Sequence, residues 1–214
     1  MSDVRKLFIQ GPAGRLEAAL RTADAPRGAV VLAHPHPLYG GTLHNPVIFH
    51  SDRELNRAGF ATLRFNFRGV GESEGTHDDG EGEVGDVAAA VQWFRAHTPG
   101  VPLVLVGYSF GSRCAVSYAL TDPGVAAVVA IGFPIRIWRF DGIEKLGRPF
   151  AAVQGTNDEF GHIDEVKAVL EAMEPPGVLY EIEGATHMFP GRAPEAAAQV
   201  VRAVEAALAR GVSA

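Results

Sequence analysis

Short apolar runs alternate with helical periods along nearly the whole chain, and this alternation constrains the fold more than any other feature. Six runs are rich in apolar or β-branched residues; they span residues 29–33, 60–65, 102–106, 125–131, 150–154 and 178–182. Continuous runs of this kind are typical of strands that are covered on both faces. Helical spacing of apolar residues is found around residues 46–58, 84–94, 110–120, 163–173 and 197–208. Strands that alternate with helices predict an α/β fold with a mostly parallel sheet and helices on both faces.

Two further strands are expected before these runs. Residues 7–10 and 15–21 have strand-like composition and are joined through Gly11-Pro12-Ala13-Gly14, a turn-forming sequence. The sheet is therefore predicted to have eight strands. With 214 residues, the chain is predicted to form one domain over residues 1–214.

The acidic residues are concentrated in one segment. The formal net charge is −6, and no Lys or Arg occurs between residues 69 and 86. The acids of this segment are Glu72, Glu74, Asp78, Asp79, Glu81, Glu83 and Asp86. The rest of the chain is close to neutral and has no basic stripe, which argues against nucleic-acid binding. We expect residues 71–83 to form a solvated surface loop.

Cysteine use and hydropathy indicate a cytoplasmic protein without a membrane partner. Cys114 is the only cysteine, so no internal disulfide is possible, and we expect it to face the core. The first ten residues include Asp3, Arg5 and Lys6 and have no apolar run typical of a signal peptide. No apolar stretch is long enough to span a bilayer.

The pattern G-x-S-x-G, typical of a serine nucleophile, occurs twice, around Ser109 and around Ser73. Ser109 follows a predicted strand and leads directly into a predicted helix, which is the setting that a nucleophile elbow requires. Ser73 lies in the acidic segment between Glu72 and Glu74, whose charges would oppose a developing oxyanion. We therefore predict Ser109 as the nucleophile and an ordinary turn at Ser73.

A serine nucleophile needs a histidine base, and that histidine needs an acid to orient it. After Ser109 only His162 and His187 remain, and His187 follows the last predicted strand, whereas His162 precedes a helix and is expected to have a capping or surface role. Asp158 is the preferred acid because it lies in a turn at the carboxyl end of a strand. Two other acids, Glu159 and Asp164, remain as alternatives.

The loop after the first parallel strand carries the candidate oxyanion donors and a possible metal pattern. One oxyanion donor is expected from the backbone of Phe110, the residue after the nucleophile. Because Pro35 and Pro37 have no N–H, the second is expected from His36, with Leu38 and Tyr39 as alternatives. His34-x-His36, with His44 nearby, is a poor metal site because no clear carboxylate accompanies it. We expect no metal and a structural role for His34.

The connection over residues 132–149 is too short for a multi-helix cap over the site. It contains Phe133, Ile135, Ile137 and Trp138, interleaved with Arg136 and Arg139. These apolar residues either pack the connection onto the sheet or line an acyl pocket. The candidate substrate-binding residues are Leu38, Tyr39, Phe133, Trp138 and Met188.

Taken together, these motifs resemble the α/β-hydrolase superfamily, and in particular small lidless bacterial hydrolases related to dienelactone hydrolases. The resemblance is carried by residues 34–41, residues 64–73, the elbow at Ser109, and the loops of Asp158 and His187. It implies a serine carboxylesterase that acts on a small-molecule ester and needs no cofactor. Dienelactone hydrolases proper use a cysteine where this chain has Ser109. A thioesterase, a lactonase, a peptidase and a non-catalytic interaction protein with this fold remain alternatives.

Overall fold

The computed structural model describes residues 4–211, and all eight predicted strands are found there. They are β1 (Arg5–Gly11), β2 (Gly14–Arg21), β3 (Ala29–Ala33), β4 (Ala61–Phe65), β5 (Leu103–Tyr108), β6 (Ala127–Ile131), β7 (Phe150–Gly155) and β8 (Val178–Ile182). The helices of the same region are α1 (Pro46–Arg57), α2 (Glu81–His97), α3 (Phe110–Thr121), α4 (Ile163–Glu171) and α5 (Ala193–Gly211). Single 3₁₀ turns occur at Pro37–Tyr39 and Ile143–Lys145. Residues 1–3 of the charged N-terminal stretch lie outside the described residues.

The strands form one sheet in the order β1-β2-β4-β3-β5-β6-β7-β8. From β4 to β8 all neighbours are parallel, whereas β1 pairs with β2, and β2 with β4, in antiparallel fashion. The prediction of a mostly parallel eight-stranded sheet is confirmed, with two antiparallel strands added at one edge.

Both faces of the sheet are covered by helices, which explains why the central strands have continuous apolar sequences. Along β3, Val31 belongs to the core beneath α2, α3 and α4, whereas Val30 and Leu32 belong to the core beneath α1 and α5. Successive side chains of a strand point to opposite faces, so a strand buried on both faces needs an apolar residue at every position.

The strand order places a crevice at the carboxyl end of β3. The chain leaves β3 for β4 on one side, while β5 pairs with the other side of β3. Loops at such a reversal point diverge and leave room for a ligand. The loop that follows β3 therefore lies beside Ser109, which follows β5.

The acidic segment differs from the expectation of a solvated surface. Asp86 and Glu83 are fully buried. The guanidinium of Arg68 donates to both carboxylate oxygens of Asp86, with Nε–Oδ2 at 3.0 Å and Nη2–Oδ1 at 2.8 Å. The expectation was wrong for Glu83 because tertiary contacts, described below, neutralise its burial cost.

Two other expectations concern the core and the membrane. Cys114 is fully buried, which confirms its predicted place in the core, and burial raises the pKa of its thiol well above the usual value. No helix within residues 4–211 is both long enough and apolar enough to cross a bilayer.

Candidate active site

Ser109 occupies a strained turn between β5 and α3. Its backbone has φ 51° and ψ −113°, a left-handed conformation that is rare for a residue with a side chain. A Cβ at Gly107 would lie 2.4 Å from the carbonyl oxygen of Gly111, and a Cβ at Gly111 would lie 2.3 Å from that of Ala33. Both glycines of the motif are therefore required by close backbone approach, as a nucleophile elbow demands.

The structure brings Ser109, His187 and Asp158 together in one hydrogen-bonded chain. His187 Nε2 lies 2.8 Å from Ser109 Oγ, and His187 Nδ1 lies 2.9 Å from Asp158 Oδ2. The carboxylate can only accept, so Nδ1 carries the proton and Nε2 is free to accept one from the hydroxyl. All three residues are buried. The arrangement is suited to removing the proton of Ser109 as its oxygen attacks a carbonyl.

Three neighbours limit the movement of His187. The hydroxyl of Tyr108 donates to the His187 carbonyl at 2.8 Å, and the ring of Phe160 packs edge-on at a centroid distance of 4.6 Å. Gly132 has φ +52°, and a Cβ there would lie 3.0 Å from His187 Cε1. The imidazole thus has little freedom to turn away from Ser109.

The alternative acid and base candidates lie elsewhere. Glu159 Oε2 accepts the backbone N–H of His187 at 3.4 Å rather than an imidazole proton. His162 is at the N-cap of α4, and its Nε2 lies 2.8 Å from Arg136 Nη1. Asp164 is exposed in the first turn of the same helix.

The second serine motif has a structural role. Ser73 Oγ donates to the Asn66 carbonyl at 2.8 Å and accepts the Glu17 N–H at 2.9 Å. Its hydroxyl therefore ties the turn to the edge of the sheet, as predicted for an ordinary turn residue.

Two backbone N–H groups beside Ser109 are free to bind a substrate oxygen. Phe110 is the first residue of α3, where an N–H has no partner within the helix. The N–H of His36 has no acceptor among residues 4–211. The rings of the two residues are 4.8 Å apart, and a Cβ at Gly111 would lie 2.7 Å from the His34 carbonyl oxygen, so the loop after β3 packs against the start of α3.

His34 fixes the start of this loop. Its Nδ1 lies 2.6 Å from the Pro35 carbonyl, and its Nε2 accepts the Phe67 N–H at 3.1 Å. Only a neutral imidazole makes both bonds, and burial lowers the pKa of His34 to about 4. The predicted structural role of His34 is confirmed. The described part of the chain contains no cluster of three or more His, Cys, Asp or Glu side chains suited to a metal ion.

A cavity of about 490 Å³ opens at Ser109 and His187. Tyr39, Trp138 and Met188 line it, as expected from the sequence. Sequence reasoning missed Asn45, Tyr108 and Phe160 as lining residues. Tyr108 and Phe160 lie within two residues of Ser109 and Asp158 along the chain, and this proximity was the available signal.

Two expected lining residues lie elsewhere. Phe133 is fully buried in the core, where its ring packs 4.5 Å from that of Phe140 and 5.4 Å from that of Phe150. Leu38 is 68% exposed and is not part of the cavity wall. Phe133 follows β6 too closely to leave the sheet, whereas Leu38 lies on the outer side of a 3₁₀ turn.

Comparison with known proteins identifies the family. A family model described as alpha/beta hydrolase fold matches residues 35–160, which include the β3 loop, Ser109 and Asp158. This chain belongs to the α/β hydrolases. An uncharacterized protein of Rickettsia prowazekii is 32% identical over 194 residues, which cover 86% of this chain and 82% of that protein.

Solved structures of α/β hydrolases are similar over almost the full length. An α/β serine hydrolase without a lid from Xanthomonas campestris has a TM-score of 0.86 and 28% identity, covering 96% of this chain and 95% of its own. An α/β serine hydrolase homologue from Coxiella burnetii has a TM-score of 0.83 and 34% identity, covering 94% and 97%. These similarities confirm the resemblance to lidless hydrolases. They also support the interpretation that this chain is a hydrolase.

Proposed function

We propose that this α/β hydrolase is a serine carboxylesterase that cleaves esters of short acyl chains. The observation that carries the proposal is the buried chain from Asp158 through His187 to Ser109, which ends at the floor of the 490 Å³ cavity. A hydroxyl that is hydrogen-bonded to an oriented imidazole is an activated nucleophile.

In the proposed reaction, Ser109 Oγ attacks the acyl carbon and His187 Nε2 takes the hydroxyl proton. Negative charge develops on the carbonyl oxygen, and the N–H groups of Phe110 and His36 donate hydrogen bonds to it. When the tetrahedral intermediate collapses, His187 passes the proton to the leaving alcohol. Asp158 keeps the correct tautomer and stabilises the imidazolium. Water then attacks the acyl-enzyme, again with His187 as base.

The cavity supports a small, apolar acyl group. Trp138, Tyr108 and Phe160 supply aromatic surface, while the connection over residues 132–149 contributes one 3₁₀ turn and no cap. At the mouth, Tyr39 is 84% exposed and no part of the described chain covers it. A methylene contributes about 0.8 kcal/mol only when it is removed from water. A long chain would leave the cavity and gain nothing further.

The proposal is tested by the hydrolysis of p-nitrophenyl acetate by Ser109→Ala, with Ser73→Ala as the matched control from the same sequence pattern. Ser109→Ala is expected to lower turnover by about 10⁶-fold, because the nucleophile acts as a unit with its base. Ser73→Ala should lower the free energy of unfolding by about 2 kcal/mol through its two lost hydrogen bonds and keep its turnover. Equal loss in both variants, or retained turnover in Ser109→Ala, would overturn the proposal. A parallel panel of thioesters and lactones shows which carbonyl compounds the site prefers.

A further inference from the structure

One side chain of the acidic segment contacts both residues that supply the proposed oxyanion N–H groups. The ring of His77 lies 5.1 Å from that of His36 and 5.5 Å from that of Phe110, measured between centroids. With the 4.8 Å contact between His36 and Phe110, the three rings form a closed cluster, called the ring cluster below.

The ring cluster joins the loop after β3 to the start of α3 beyond the point where their backbones meet. They meet at Gly111, where a Cβ would lie 2.3 Å from the carbonyl oxygen of Ala33 and 2.7 Å from that of His34. His36 belongs to the loop after β3, whereas Phe110 is the first residue of α3. His36 lies two residues beyond His34, so the position of its N–H also depends on the packing between the two side chains and on whatever holds that packing in place.

His77 is anchored by a buried carboxylate. Its Nδ1 lies 2.7 Å from Oε1 of Glu83, a residue of the first turn of α2 that is fully buried. Glu83 also accepts the backbone N–H groups of Asp78 at 3.0 Å and Gly80 at 2.9 Å. Burial would raise the pKa of Glu83, but these N–H donors outweigh it, and the pKa lies below its usual value. The carboxylate is thus ionised near neutral pH, where its bond to His77 is charge-assisted.

The other ring nitrogen of His77 makes no hydrogen bond within the described residues, although it lies 3.4 Å from Oδ1 of the exposed Asp79. Glu83 is therefore the buried side chain that hydrogen-bonds to the His77 ring. The indole of Trp138 lies 6.2 Å from the His36 ring and 5.9 Å from the Phe110 ring. The ring cluster thus contacts both the cavity wall and the acidic segment.

We propose that the Glu83–His77 pair is a brace that sets the spacing of the His36 and Phe110 N–H groups, which makes His77 a positioning residue for the oxyanion. This inference rests on the proposed function, because it assigns a task to the oxyanion site of that reaction. Hydrogen bonds to an oxyanion depend steeply on geometry, and a displacement of about 1 Å near reacting groups lowers rates by up to about 10²-fold.

The test compares His77→Ala with His44→Ala, an exposed histidine outside the ring cluster, and Glu83→Gln with Glu81→Gln, an exposed acid of the same helix turn. For each variant, kcat and KM are measured with p-nitrophenyl acetate. A trifluoromethyl ketone serves as a second probe, because its adduct with Ser109 places a charged oxygen in the oxyanion site. Melting temperatures identify variants that fail to fold.

His77→Ala is expected to lower kcat by about 10- to 100-fold, while KM stays within about two-fold of its original value. The Ki of the ketone should rise by the same factor by which kcat/KM falls. Glu83→Gln should likewise lower kcat and raise the Ki of the ketone. The controls His44→Ala and Glu81→Gln should match the unmodified protein in both quantities. His77→Phe keeps the ring contacts but loses the bond to Glu83, so it should also lower kcat while remaining folded.

Unchanged kcat and Ki in His77→Phe or His77→Ala would overturn the brace, as would a rise in KM without a change in kcat. If the unmodified protein neither hydrolyses the ester nor forms the ketone adduct, the proposed function itself fails. The two failures are therefore distinguishable.

Discussion

The two hydrogen bonds of His34 make a specific prediction about acid stability. Both require a neutral imidazole, since Nδ1–H donates to the Pro35 carbonyl and Nε2 accepts from the Phe67 N–H. A proton on Nε2 would break the second bond and place an unpaired charge in a fully buried site. The loop that carries His36 is thereby coupled to the protonation of His34.

The magnitude follows from the pKa change on folding. Burial lowers the pKa of His34 from 6.5 to about 4. Between these values the unfolded chain binds more protons at His34 than the folded protein does, so stability rises with pH. The contribution of neutral His34 to the free energy of unfolding is complete above pH 6.5 and is lost as the pH falls towards about 4. A difference of about 2.5 pKa units corresponds to about 3 kcal/mol of unfolding free energy.

The assay measures the free energy of unfolding by denaturant at about pH 7.5 and at about pH 4.5. It compares the unmodified protein with His34→Gln and with the exposed control His44→Gln. Gln can still accept the Phe67 N–H but does not titrate. The loss of unfolding free energy on acidification should be smaller in His34→Gln by about 2.5 kcal/mol, because the other titrating groups cancel in the comparison. Equal losses in all three proteins would refute the linkage.

Three further predictions concern the site. Asp158→Asn should lower kcat for p-nitrophenyl acetate by about 10⁴-fold by favouring the wrong tautomer, whereas Glu159→Gln should have little effect; the reverse order would move the acid to Glu159. Gly132→Ala places a Cβ 3.0 Å from His187 Cε1 at φ +52° and should lower kcat by about 10-fold or more, and an unchanged kcat would contradict the packing described. Across p-nitrophenyl esters from acetate to palmitate, kcat/KM should peak at a short chain, and a maximum at decanoate or longer would mean that residues 132–149 or the acidic loop over residues 71–83 act as a lid.

The order and type of the elements were predictable because their signals are local. Apolar runs and helical spacing can be found within a window of about ten residues, so each strand and helix was found within a few positions. The predicted positions of the strand ends were less accurate. The strand predicted over residues 102–106 extends to Tyr108, because Gly107 and Tyr108 still pair with Ala130 and Ile131 of the neighbouring strand.

The three residues of the hydrogen-bonded chain were identifiable for a similar reason. Each follows a strand, and the carboxyl ends of parallel strands meet at one edge of a sheet. Ser109, Asp158 and His187 could therefore be brought together by topology alone, before any distance was known.

The acidic segment was not predictable, because its partners are distant in sequence or hidden in the fold. Asp86 and Arg68 are 18 residues apart, and Glu83 binds the backbone of a turn as well as His77. A run of acids without cations is usually solvated, so the local pattern favoured a surface loop. The burial of Phe133 was equally hidden, since alternation with arginines fits both a cavity wall and a packed connection.

The central claim, that Ser109 is the nucleophile, is tested most directly by reaction with a fluorophosphonate followed by tryptic peptide mapping. Cleavage after Arg68, Arg95 and Arg113 separates the two serine motifs, with Ser73 in the peptide of residues 69–95 and Ser109 in that of residues 96–113. The label is expected on residues 96–113, with fragmentation assigning it to Ser109 rather than Ser112, and it should be absent in Ser109→Ala. A label on residues 69–95, or an unlabelled protein that still hydrolyses esters, would contradict the account.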